Sequence, residues 1–213
     1  MTDDAAQTLW RTAQALEALA RPEKPLPPLF FVTDPLRTPD PAAVAARLPV
    51  GAGVIYRHFG AEDALPTAMR LREIAGLRAL TLLIGLDAEL AEACGAHGVH
   101  LPEAGLGQAR ELRAGHPEWL LTAAAHGAGA LEAAASAGVD AALLSPVFPS
   151  ASPSAGPPLG LARFSELARG APLPVYALGG VTAANVAELL GSGAAGVAAV
   201  EGVLEAWAAG QRA

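Results

Sequence analysis

The chain has 213 residues, a formal net charge of −7, and a composition that is 52% hydrophobic, 5% aromatic and 16% charged. That length suits one domain with its own core, and so lean and apolar a composition excludes a disordered chain. The acidic balance argues against a nucleic-acid partner, which needs a basic face to displace counterions from phosphates. A single cysteine, Cys94, excludes an internal disulfide framework and a multi-cysteine metal cluster, and fits a cytoplasmic setting. No apolar run reaches the ~18 residues of a membrane span, so no membrane partner is expected. The acidic start Met1-Thr2-Asp3-Asp4 is unlike the basic start of an export signal.

In chain order, residues 4–20 predict an amphipathic helix, with Leu9, Ala13, Leu16 and Leu19 near one face. The run Arg21-Pro22-Glu23-Lys24-Pro25-Leu26-Pro27-Pro28 breaks it. Residues 1–27 are therefore expected to form an N-terminal helix and proline-rich linker, and residues 28–213 one domain. Two roles for the helix stand open: packing on the domain or at a dimer contact, and an arm or lid.

From residue 29 short apolar runs alternate with helical stretches. The runs cover 29–33, 53–57, 80–84, 98–101, 120–124, 141–145, 175–178 and 196–200. The helical stretches cover 41–48, 63–75, 87–94, 106–114, 128–137, 161–168, 183–190 and 202–209. Strands buried on both faces read as continuous apolar runs, and strand–helix alternation with short loops means a parallel sheet. Eight such units predict an α/β fold, a compact (β/α)8 TIM barrel with an extra N-terminal helix. The competing open sheet usually carries a Gly-x-Gly-x-x-Gly turn after its first strand, and the turn here is Thr33-Asp34-Pro35-Leu36.

Barrels of this kind place chemistry at the C-terminal ends of their strands. That rule selects Asp34, Arg57, His58, Gly85, His100, His126, Ser145, Gly179-Gly180 and Val200-Glu201. His126 follows the apolar run of the fifth strand and is the candidate acid/base, because imidazole exchanges protons near neutral pH. Arg57, His58, His100 and Ser145 are candidate substrate contacts. Gly179 and Gly180 bring backbone N–H groups close to a ligand where such barrels often hold phosphate. Glu201 faces the same cradle, where a carboxylate repels phosphate unless it points outward or pairs with Arg57 or another base. No His or Cys pair has zinc spacing, so no metal ligands are assigned. Cys94 is expected in the core, and His97 and His116 in loops. Residues 146–160, rich in Ser, Pro and Gly, read as a lid.

Several segments together resemble the thiamine-phosphate synthase/TenI superfamily over residues 29–204. They are Phe31-Val32-Thr33-Asp34, Gly98-Val99-His100-Leu101, Ala137-Gly138-Val139-Asp140 with Ser145-Pro146-Val147-Phe148, and Ala177-Leu178-Gly179-Gly180-Val181 with Asn185 and Ala194-Ala195-Gly196-Val197-Ala198. The resemblance implies a (β/α)8 barrel of thiamine metabolism, a small phosphorylated heterocycle as ligand, and a homodimer. A synthase of this family joins a pyrimidine diphosphate to a thiazole phosphate with Mg²⁺. Its strand-2 motif Gln-x-Arg-x-Lys reads Ile55-Tyr56-Arg57-His58-Phe59 here, keeping only Arg57. The Asn-Asp after strand 3 reads Gly85-Leu86, and the second metal Asp falls on Gly105. The lid motif Thr-x-Thr-Lys reads Ala151-Ser152-Pro153-Ser154, and the phosphate Ser after strand 8 is Glu201. The TenI-like branch is similar without needing those groups: its strand-5 histidine aligns with His126 and moves a proton within a thiazole carboxylate phosphate. The resemblance thus favours a TenI-like proton-transfer enzyme without a cofactor. The alternatives are a diverged synthase, which would need Mg²⁺, and a non-catalytic binding paralogue.

Overall fold

The computed structural model describes residues 2–150 and 156–208. Eight strands, β1 (Leu29–Val32), β2 (Gly53–Tyr56), β3 (Thr81–Gly85), β4 (Gly98–Leu101), β5 (Leu120–Ala125), β6 (Ala141–Leu144), β7 (Val175–Leu178) and β8 (Gly196–Ala199), follow one another around a closed barrel. All pairs are parallel, and β8 returns to β1 with Phe30 opposite Ala198. The helices are α1 (Thr2–Ala20), α2 (Pro41–Ala45), α3 (Ala64–Arg78), α4 (Ala88–Cys94), α5 (Ala109–Gly115), α6 (Ala128–Ala137), α7 (Gly160–Gly170) and the short α8 (Glu201–Val203). This is the (β/α)8 barrel expected from the alternation. No helix among the described residues is long and apolar enough to cross a membrane.

The strands are continuous apolar runs because both faces are covered. Phe30, Val32, Ile55, Leu83, Leu143, Tyr176 and Ala198 fill the interior. Leu29, Phe31, Val54, Leu82 and Ile84 face the helices. Two rings set the lower interior, Phe30 edge-on to Tyr176 with centroids 5.2 Å apart. Glycine makes room for both: a Cβ on Gly53 would meet the Phe30 ring at 2.4 Å, and one on Gly196 the Tyr176 ring at 2.5 Å. Large and small residues thus interlock across strands.

Two expected helices are much reduced. Residues 183–190 form only the 3-10 turn Val186–Leu189, and α8 passes into the π turn Leu204–Ala208. The flank of β8 they would have covered is covered instead by α1, which packs on β8, β1 and both turns. Leu9, Ala13 and Leu16 are fully buried there, and each leucine contributes about 1.5–3 kcal/mol by leaving water. Of the two roles left open for this helix, packing on the barrel is the one observed.

The proline-rich linker crosses the N-terminal ends of the strands. Leu26 enters the interior core. Tyr176 Oη donates to the Pro27 carbonyl at 2.7 Å, and Lys24 pairs with Asp140. Asp140, 7% exposed, also accepts from Arg113 at 2.6 Å and from the Leu121 N–H at 2.9 Å. Burial raises its pKa, but Lys24, the Leu121 N–H and Arg113 outweigh burial and hold it below its ordinary value. A carboxyl with a depressed folded-state pKa adds stability that is present above its unfolded value and lost as pH falls through the folded one. Asp140→Asn is therefore expected to cost about 2 kcal/mol at neutral pH, a figure reduced for the exposure of Lys24. The variant should also lack part of the wild-type loss of stability below about pH 4. Urea midpoints measured across pH check both points.

Candidate active site

A cavity of about 380 Å³ opens at the C-terminal ends of the strands. Arg57, His100, His126, Ser145, Gly179, Gly180, Val200 and Glu201 all line it, so eight of the sequence candidates converge on one space. Asp34, Gly85 and His58 do not line it. His58 is turned to another partner. Its Nε2 lies 3.2 Å from Asp87 Oδ2, and its Nδ1 accepts the Gly60 N–H at 3.1 Å. Asp87 caps α4 through the Leu90 N–H, and the carboxylate held there draws His58 toward the β3–α4 loop.

The two histidines of the cavity differ. His100 is buried in the wall, and its Nδ1 meets the Thr122 hydroxyl at 2.9 Å. Burial, helped by the Arg57 charge, lowers its pKa to about 3, so the imidazole stays neutral at ordinary pH. His126 is 60% exposed at the rim, and its Nδ1 lies 2.9 Å from Glu103 Oε2. Glu103 opens the 3-10 turn Glu103–Gln108 after β4. A carboxylate on Nδ1 holds the ring proton there and leaves Nε2 as the base. Glu103 is not among the candidates selected from the sequence. Its pairing crosses from the β4 loop to the β5 loop, a step that spacing cannot show.

Charges alternate along the opposite rim. Asp34 Oδ2 accepts from Arg37 at 2.9 Å and lies 3.6 Å from Arg57. Arg37 reaches on to Glu201 Oε2 at 3.7 Å. The Arg37 hydrogen bond, with its charge and the Arg37 and Leu36 N–H groups, holds Asp34 below its ordinary pKa despite burial. Arg57 Nε donates to the Thr33 carbonyl at 2.7 Å, and its guanidinium lies 5.4 Å from the Phe59 ring centroid. Glu201 pairs with Arg37, a base that the sequence reading did not single out.

The glycine pair has a packing cause. Gly179 and Gly180 have φ of 93° and 66°. A Cβ would stand 2.6 Å from Pro146 Cβ at the first and 2.3 Å from the Pro149 carbonyl oxygen at the second. The segment after β6 continues the ladder, with Val147 N–H on Leu178 O and Phe148 N–H on Gly179 O. Asn185 holds the turn beyond, donating to Gly180 O at 2.8 Å and accepting the Thr182 N–H at 2.9 Å. The Gly180 and Val181 N–H groups have no partner among the described residues, and both residues line the cavity. The ends of the expected lid clasp each other, Leu159 N–H on Pro146 O and Gly160 N–H on Val147 O. Residues 151–155, where the lid motif was placed, lie outside the described residues.

A family model for thiamine monophosphate synthase matches residues 29–203. The chain belongs to that family. A thiamine-phosphate synthase from Methanoculleus marisnigri is 36% identical over 158 residues, covering 72% of this chain and 75% of that protein. One from Anaeromyxobacter dehalogenans is 35% identical over 173 residues, covering 78% and 77%. A solved thiamine phosphate pyrophosphorylase from Pyrococcus furiosus superposes with a TM-score of 0.71 at 19% identity, over 84% of this chain and 92% of that one, and shares the fold.

The residues present do not fit the Mg²⁺ that the family resemblance implies. Its two carboxylate positions fall on Leu86 and Gly105, which are neighbours: a Cβ on Gly105 would lie 3.5 Å from Leu86 Cδ1. Asp87 is occupied by the α4 cap and His58, and Glu103 pairs with His126. Among the described residues, no cluster of three His, Cys, Asp or Glu could hold a metal ion.

Proposed function

We propose that this family member is a metal-independent proton-transfer enzyme acting on a thiazole phosphate. One observation carries the reading: a cavity-lining imidazole is oriented by a carboxylate, His126 with Glu103, while apolar residues stand where the metal carboxylates belong. His126 Nε2 takes a proton from a ring carbon of the thiazole carboxylate phosphate. Glu103 steadies the imidazolium, and the same nitrogen returns the proton to a carbon outside the ring, which leaves the ring aromatic and makes substrate and product isomers. Neutral His100 contributes a hydrogen bond without competing for that proton. The Gly180 and Val181 N–H groups are placed to donate hydrogen bonds to phosphate oxygens.

The named relatives favour a second reading, a diverged synthase joining pyrimidine diphosphate to thiazole phosphate. A non-catalytic binding protein would show neither activity. Two incubations separate them. The proposal expects isomerisation of the thiazole carboxylate phosphate in the presence of a chelator. Thiamine phosphate formed from the two synthase substrates with Mg²⁺, with no isomerisation, would overturn it.

A further inference from the structure

We infer that Arg37 is the cationic residue of the phosphate subsite and that Glu201 is a built-in competitor setting its affinity for anions. The inference rests on the reading that this cavity holds a phosphate. Two arginines line it, and they are held differently. Arg57 donates through Nε to Thr33 O, lies over Phe59 and faces Asp34 at 3.6 Å, whereas Arg37 is the arginine that reaches Glu201. Arg37 is committed on one side only. Its Nη2 bonds Asp34, and Asp34 is itself fixed by accepting the Leu36 and Arg37 N–H groups. Its Nη1 faces Glu201 at 3.7 Å, beyond hydrogen-bond distance, and the Glu201 side chain is 56% exposed.

A loose ion pair with an exposed partner is worth little and is easily exchanged. A phosphate offers the guanidinium short charge-assisted hydrogen bonds in place of that contact. The exchange needs no rearrangement of β1, because Asp34 continues to hold the other side of Arg37. Glu201, Gly180 and Arg37 line one cavity, so an anion bound between the β7 turn and Arg37 competes directly with the carboxylate. Asp34 and Glu201 together balance the two arginines. An anion therefore gains a net positive subsite only as Glu201 swings out.

Titration of the full chain with inorganic phosphate at low ionic strength, followed by ³¹P NMR, tests this. Glu201→Gln is expected to tighten binding about fivefold, the removal of one screened repulsion. Arg37→Ala is expected to weaken it by about tenfold or more. Because Arg37→Ala also removes an Asp34 contact, thermal midpoints are recorded for both variants; exposed Glu201→Gln should leave its midpoint unchanged, so its affinity change stands on its own. Phosphate binding in wild type that neither variant alters would overturn the roles of Arg37 and Glu201 while leaving the phosphate reading intact. Phosphate binding to none of the three proteins would overturn both.

Discussion

Replacing His126 with alanine is expected to slow isomerisation of the thiazole carboxylate phosphate by about 10²–10⁴-fold, the usual contribution of a positioned acid/base. The fold should survive, because the side chain is exposed at the rim and its one recorded bond is to an exposed Glu103. Glu103→Gln is expected to cost less and to act through His126: the amide still reaches Nδ1, but it no longer offsets the imidazolium charge. The loss should therefore fall on kcat with KM little changed. Steady-state rates with a far-ultraviolet spectrum for each variant check this. Unchanged turnover in His126→Ala would remove the imidazole from the chemistry.

Gly98→Ala is expected to have the largest effect on stability. Gly98 pairs with Leu120 in the β4–β5 register and has φ of 154°. A Cβ there would lie 2.0 Å from the Leu120 carbonyl oxygen and 2.7 Å from its nitrogen, both backbone atoms that cannot turn aside. Overlap of that kind forces the strands apart, with a loss of about 4 kcal/mol or more, or no soluble protein. His100 lies two residues along the same strand, so the displacement would reach the cavity wall. Gly129→Ala, in α6 with nothing within 4 Å of the added Cβ, is the matched control and should be neutral or slightly stabilising. Denaturant midpoints for the pair give the comparison.

The barrel was legible because every strand is buried on both faces, which turns a tertiary property into a local run of apolar residues. Strand ends fall within a residue of expectation for that reason. The helices after β7 and β8 were over-read: residues 183–190 have helical composition, but α1 already covers that flank. The rule that chemistry sits at the C-terminal strand ends found eight cavity residues, since position after a strand is readable from the chain. It placed His58 at the mouth as well, because the pull of Asp87 depends on an α4 cap from another loop. Arg37 and Glu103 escaped it for the same kind of reason. Each sits past a strand end, within a loop, and gains its role from a partner on a different strand's loop, Glu201 and His126. The glycine pair was found by its pattern, while its packing against Pro146 and Pro149 appears only in three dimensions.

This family member is proposed to move a proton with its own imidazole and without a metal. The most direct test is nuclear magnetic resonance of the thiazole carboxylate phosphate in D₂O with the full chain and a chelator. Solvent deuterium entering the product outside the ring as the isomer forms, at a rate the chelator leaves unchanged and His126→Ala abolishes, is the result predicted. No exchange under those conditions, together with thiamine phosphate appearing once Mg²⁺ and the pyrimidine diphosphate are supplied, would contradict it.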